Sequence, residues 1–157
     1  MTNKNNKIHM KNIFYLLLIL ITISACDTYS DEDRKSFDKQ ISEYLKKKKI
    51  QCEHSESGLY YHVYNPGKGE TIQFTDIVSF TYKGTLTNGT VFDNQKNPIS
   101  FAVKDLIAGW KEIMAKLKPG AKVFLAIPPS LGYGDHDLDK IPPNSILLFE
   151  MEIDCVK

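Results

Sequence analysis

Two tyrosines, two phenylalanines, one tryptophan and one aspartate stand in short motifs of the second half of this chain: Tyr82-Lys83-Gly84, Val91-Phe92-Asp93, Leu106-Ile107-Ala108-Gly109-Trp110, Gly132-Tyr133-Gly134 and Ile146-Leu147-Leu148-Phe149. These are the materials of a small aromatic-walled pocket with a single carboxylate. Such a pocket takes up an apolar group, strips water from it, and offers a phenolic O–H to a carbonyl. The same stretch holds no recognisable nucleophile beside a base, no phosphate-cradling glycine loop, and no metal cluster. His54, His62 and His136 are not at metal-ligand spacing and read as surface or satisfied histidines. The chemistry indicated is therefore non-covalent, without metal or cofactor. A net charge of +1 over 157 residues gives no field for nucleic acid.

The elements that must carry these residues can be read from periodicity. Ser30 with Asp33 three residues later is a capping-box pattern. Phe37, Ile41, Tyr44 and Leu45 follow it as a one-sided apolar stripe, which predicts a helix over residues 31–48. Its acids (Asp31, Glu32, Asp33) and its lysines (Lys46 to Lys49) sit at the ends the helix dipole favours. The helix either lies on the domain or stands off as a spacer.

From Gly58 the period changes to that of strands. Residues 59–64 and 77–86 are strand-like, and Asn88-Gly89 is hairpin-turn chemistry. Val91-Phe92 starts a returning strand that breaks over residues 94–98 and resumes at 99–103. Leu106, Ile107, Trp110, Ile113, Met114 and Leu117 mark a short amphipathic helix stopped by Pro119-Gly120. Residues 122–127 and 146–156 are the last strands. The fold class is α+β, an antiparallel sheet of about five strands curled around one short helix.

These motifs, in this order, resemble the FKBP-type peptidyl-prolyl cis-trans isomerases. The similarity runs through Phe80-Thr81-Tyr82-Lys83-Gly84, Asn88-Gly89-Thr90-Val91-Phe92-Asp93, Ile107-Ala108-Gly109-Trp110, Lys118-Pro119-Gly120, Leu131-Gly132-Tyr133-Gly134, Ile141-Pro142-Pro143-Asn144 and Leu147-Leu148-Phe149-Glu150. The resemblance implies an isomerase domain over residues 56–157 acting on Xaa–Pro bonds in folding clients. It implies Trp110 as the pocket floor, with Tyr82, Phe92, Ile107 and Phe149 as walls and Ile99, Leu106 and Ile141 at the rim. Asp93 is the implied carboxylate at the edge. The Tyr133 hydroxyl and the Ile107 N–H are the implied donors to substrate carbonyls. Binding of macrolide inhibitors is part of the same expectation.

Three departures bear on that expectation. Only four residues separate Asp93 from Pro98, so Lys96 is the sole candidate for the arginine that family members use to hold the aspartate. Position 99 is isoleucine where an aromatic is frequent. The loop Asp135-His136-Asp137-Leu138-Asp139-Lys140 is short and acidic. The shortened loop and the acidic one keep a second reading open, an FKBP-fold binding or chaperone module with little turnover.

Residues 1–25 have the form of a secretory signal: basic Lys4, Lys7 and Lys11, then an apolar run from Ile13 to Ile23 that is too short for a ~20-residue membrane span. Ile23-Ser24-Ala25-Cys26 resembles the bacterial lipobox. It implies a diacylglyceryl and palmitate anchor on Cys26, a tether and helix over residues 26–55, and a lipid-anchored protein of the cell envelope, periplasmic or surface-exposed. The tether–helix–domain layout is similar to lipoprotein isomerases associated with gliding motility. Cys52 and Cys155 remain as a disulfide pair or as two free thiols.

Overall fold

The computed structural model describes residues 29–157; the signal, lipobox and Cys26 lie outside the described residues. Helix α1 (Asp31–Lys48) opens the described chain. Strands β1 (Glu53–His54), β2 (Tyr60–Asn65), β3 (Ile77–Leu86) and β4 (Val91–Ala102) follow, then helix α2 (Ala108–Met114), β5 (Lys122–Ile127) and β6 (Leu147–Val156). The six strands form one antiparallel sheet in the order β1-β2-β5-β6-β3-β4. The sixth strand is the two-residue β1, too brief for a periodicity to show in the sequence.

Strand alternation divides the apolar residues between two cores. Val123, Leu125 and Ile127 of β5, with Leu147, Phe149, Met151 and Ile153 of β6, belong to the main core. That core also holds Phe80, Trp110, Ile113, Met114 and Leu117. Phe124, Ala126 and Leu148 point to the other face, where Ile41 and Leu45 of α1 cover them together with Ile146. Strand β5 reads as an unbroken apolar run because both of its faces are covered.

Helix α1 therefore lies on the domain rather than standing off. The Ser30 hydroxyl accepts from the Asp33 N–H (3.2 Å), and Asp33 accepts in return from the Ser30 N–H (3.0 Å), closing the capping box. The helix ends at Lys49 in the left-handed conformation. Tyr60 of β2 donates its hydroxyl to Asp38 at 2.6 Å, and His54 of β1 approaches the same carboxylate at 3.3 Å. Ile41 is 1% exposed, so Ile41→Ala is expected to cost about 2–5 kcal/mol in a denaturant titration. Among the described residues no helix is long and apolar enough to cross a membrane.

Strand β4 does not break over residues 94–98 as its sequence suggests. Phe80 pairs with Ile99 and Tyr82 with Gln95, so β4 advances four positions while β3 advances two. Asn94 and Gln95 stay paired with Lys83 and Tyr82, and a bulge over Lys96–Pro98 takes up the rest of the polar stretch without ending the strand. Cys52 and Cys155 are free thiols. Burial beneath α1 pushes the Cys52 thiol up to about 11, so it is protonated at neutral pH.

Candidate active site

The pocket opens between α2, the central strands and the 133–141 loop. It encloses about 410 Å³ and is lined by Tyr82, Phe92, Asp93, Phe101, Asp105, Leu106, Ile107, Trp110, Tyr133, Leu138, Asp139, Lys140, Ile141 and Phe149. Nine of the ten residues expected from the sequence are in that set. Ile99 is not. It packs partly buried on the main core, and Phe101, two residues along the same strand face, lines the pocket instead. Phe101 stands two positions on from Ile99 in a period-2 strand, which is the spacing of one strand face, and it is 48% exposed at the pocket. Asp105, Leu138, Asp139 and Lys140 come from a 3-10 turn and a loop, where no periodicity marks them.

The pocket's base is an edge-to-face aromatic cluster. The Trp110 ring lies 4.9 Å from Phe149, 5.0 Å from Tyr82 and 5.2 Å from Phe80 between centroids, at 76°, 76° and 87°. Phe92 meets Phe149 at 5.5 Å and 87°. Each positive ring edge faces a negative ring face, which fixes the rings beyond what area burial alone does. Gly84 makes room for this. A Cβ there would lie 2.5 Å from the Phe92 ring and 3.1 Å from that of Phe149. Trp110 is held by α2, whose short turn packs Gly109 against Ile127. The Trp110 Nε1 is buried and has no hydrogen-bond partner among the described residues.

Asp93 is fixed by neutral donors. The Tyr82 hydroxyl donates to its Oδ2, and the Asn94 N–H donates to its Oδ1 at 2.7 Å. No ion pair to Asp93 forms among the described residues, and Lys96 lines a separate groove with Lys83, Asn94 and Gln95. The shortened loop between Asp93 and Pro98 thus leaves the carboxylate to a tyrosine and a backbone amide. Tyr133 is 38% exposed at the rim. Its phenol is raised by burial first and by the negative charge of Asp93 second. The Ile107 N–H, at the N-cap of α2, donates to no backbone carbonyl among the described residues.

The sequence from residue 68 to residue 154 matches the family model described as FKBP-type peptidyl-prolyl cis-trans isomerase. The chain belongs to the FKBP-type peptidyl-prolyl cis-trans isomerase family. It is 35% identical over 140 residues to a probable FKBP-type isomerase of Haemophilus influenzae, covering 87% of this chain and 57% of that protein. It is 41% identical over 139 residues to FkpA of Escherichia coli K12, covering 85% of this chain and 52% of FkpA. It spans just over half the length of these relatives. The crystal structure of FkpA from Escherichia coli superposes with a TM-score of 0.70 at 33% identity, covering 99% of this chain and 74% of that one. AtFKBP13 gives 0.60 at 32%, covering 66% and 96%. The FKBP fold expected from the motifs is the fold observed, with α1 added on the outer face of its sheet.

One pH response follows from the Tyr82–Asp93 pair. Burial, then the hydrogen bond to Asp93 and its charge, raise the Tyr82 phenol above its ordinary value of 10.0. The folded state holds this proton more tightly than the unfolded chain. The contribution to stability is therefore intact below pH 10 and lost as pH rises above it. Denaturant midpoints are expected to show no loss from this group up to pH 9 and a fall beyond pH 10. Tyr82→Phe should remove part of that alkaline slope.

Proposed function

We propose that this FKBP domain is a peptidyl-prolyl cis-trans isomerase acting on Xaa–Pro bonds of folding clients in the bacterial envelope. The observation that carries this reading is the aromatic floor of Trp110, Tyr82 and Phe149 with two hydrogen-bond donors, the Tyr133 hydroxyl and the Ile107 N–H, among the residues lining the same pocket.

An amide resists rotation by about 18–20 kcal/mol because resonance gives its C–N bond double-bond character. In the twisted transition state the nitrogen is more pyramidal and the carbonyl less dipolar. A pocket complementary to that state accelerates rotation without bond formation. Here the prolyl ring seats on Trp110 between Phe92, Phe149 and Tyr82. Removing water disfavours the polar planar amide more than the twisted one. Tyr133 and Ile107 orient the flanking carbonyls, and Tyr82 keeps Asp93 fixed at the edge. The test is a refolding protein whose slow phase is a proline isomerisation of tens to hundreds of seconds. Catalytic amounts of this chain should shorten that phase, and a macrolide FKBP ligand should restore it. A slow phase that never shortens contradicts the reading.

The envelope location and the anchor rest on Ile23-Ser24-Ala25-Cys26. Two or more acyl chains hold a protein to a bilayer where one does so only marginally. Cys26→Ser is expected to move the protein from the membrane to the soluble fraction, or to leave it unprocessed, with the isomerase domain still folded. Wild-type protein recovered soluble with an unmodified Cys26 thiol contradicts the anchor.

A further inference from the structure

The loop that carries Tyr133, Leu138, Asp139, Lys140 and Ile141 into the pocket is closed at a narrow neck. The Asn144 N–H donates to the Gly134 carbonyl at 2.9 Å, and the Gly134 N–H donates to the Pro129 carbonyl at 3.0 Å. Both neck residues have positive φ, Gly134 at 65° and Asn144 at 60°. Inside the neck the only regular backbone pairing is the isolated bridge between Leu138 and Ile141. The neck therefore sets where the Tyr133 ring and the Ile141 side chain sit.

A residue from the far end of the chain reaches this neck. The Tyr29 hydroxyl donates to Asn144 Oδ1 at 2.7 Å across 115 positions of sequence. It also lies 3.8 Å from where a Gly134 Cβ would be. The Tyr29 ring is braced edge-on against Phe37 at 5.3 Å and 85°. Ser30, the next residue, is the cap of α1, and α1 is seated on the sheet by Ile41 and Leu45. The path from sheet to neck is thus a packed helix, a capped first turn, a braced ring and one hydrogen bond.

We propose that Tyr29 is a positioning residue for the pocket, acting through Asn144 to hold the neck of the 134–144 loop and with it Tyr133 and Ile141. The proposal rests on the isomerase reading for its functional consequence and on the neck geometry for its structural one. It gives α1 a function beyond covering the sheet, since the helix anchors the clamp that fixes one wall of the site.

Tyr29→Phe keeps the ring against Phe37 and removes only the donor. A neutral hydrogen bond contributes enough to change a rate about two- to tenfold. Measured on the full chain, Tyr29→Phe should lower kcat/KM by that factor with little change in Tm. Asn144→Gly keeps the positive φ but loses the acceptor and should match it. Asn144→Asp keeps both the acceptor and a tolerated left-handed conformation, and should retain wild-type kcat/KM. The double variant Tyr29→Phe with Asn144→Gly should be no worse than either single one. Hydrogen exchange at the Asn144 N–H should quicken in Tyr29→Phe. Unchanged kcat/KM in Tyr29→Phe, multiplied losses in the double variant, or a loss in Asn144→Asp equal to that in Asn144→Gly each overturn the proposal. A wild-type chain without isomerase activity defeats the isomerase reading alone. The clamp is then judged by the Asn144 N–H, and unaltered exchange in Tyr29→Phe defeats it.

Discussion

Trp110→Ala is expected to lower stability by about 3–5 kcal/mol and to reduce isomerase activity to the uncatalysed background. The stability loss is that of truncating a large buried ring into a cavity. Trp110 is 7% exposed and touches Phe80, Tyr82 and Phe149 edge to face, so the cavity removes partners from three rings at once. The activity loss has a separate cause. In the proposed mechanism Trp110 is the floor on which the prolyl ring seats, and its removal would admit water where the reaction requires an apolar surface. Thermal melting and peptide isomerisation on the same preparation separate the two effects. Trp110→Phe should recover much of the stability, because a ring still fills the space, and less of the rate, because the floor sits lower. A folded Trp110→Ala protein with full activity contradicts the assignment of the floor.

Asp93→Ala is expected to lower kcat/KM by about tenfold, with a smaller effect on Tm. Removing a hydrogen bond to a charged group costs about 1.5–3 kcal/mol. Isomerisation develops no full charge, so the rate effect belongs at the low end of that range, where 1.4 kcal/mol is tenfold. The carboxylate is at the exposed edge of the sheet, and its loss opens no core cavity. Its partner is Tyr82, whose hydroxyl donates to it, so Tyr82→Phe should share the deficit. Asp93→Ala combined with Tyr82→Phe is expected to fall short of the product of the single effects, because the two groups act as one unit. Tyr133 makes no hydrogen bond to Asp93 among the described residues and is linked to it only through charge, so Tyr133→Phe should combine with Asp93→Ala closer to multiplicatively than Tyr82→Phe does. If Asp93 only packs, both single substitutions leave the turnover of folded protein intact.

The parts of the fold most legible in the sequence were those with strong periods. The stripe Phe37, Ile41, Tyr44, Leu45 between acidic and basic ends predicts α1 to the residue observed. Val78, Phe80 and Tyr82 predict β3 over its full length. What periodicity cannot carry is which surface an amphipathic stripe meets. Phe124, Ala126 and Leu148, the partners of Ile41 and Leu45, lie 79 or more positions away in strands whose inward faces look equally apolar. The bulge in β4 was hidden for a related reason. Asn94 to Pro98 reads as a turn because turn and bulge draw on the same polar residues and on proline, and only pairing with β3 tells them apart.

The site was legible in outline because the ordered motifs resemble the FKBP-type isomerases, and that resemblance implies Tyr82, Phe92, Trp110 and Phe149 as walls and floor; taken singly, each of these residues reads as plain core. Its rim was less so. Ile99 and Phe101 alternate with equal claim along one face, and the structure gives the pocket to Phe101. Lys96 stood as the one basic candidate to hold Asp93. Its displacement into the neighbouring groove follows from the bulge. The Tyr29–Asn144 contact lies at the far limit of sequence reasoning, since it joins a residue before α1 to one after a double proline.

The central claim is that this pocket rotates Xaa–Pro bonds. The most direct measurement is the cis-to-trans rate of a short Xaa-Pro-Phe peptide with purified residues 27–157, whose folded state is verified on the same sample. The expected result is an acceleration proportional to protein concentration, suppressed by a macrolide FKBP ligand and absent in Trp110→Ala. A rate equal to the uncatalysed one, in protein that is folded and binds the peptide, contradicts the claim and leaves an FKBP-fold binding module in its place.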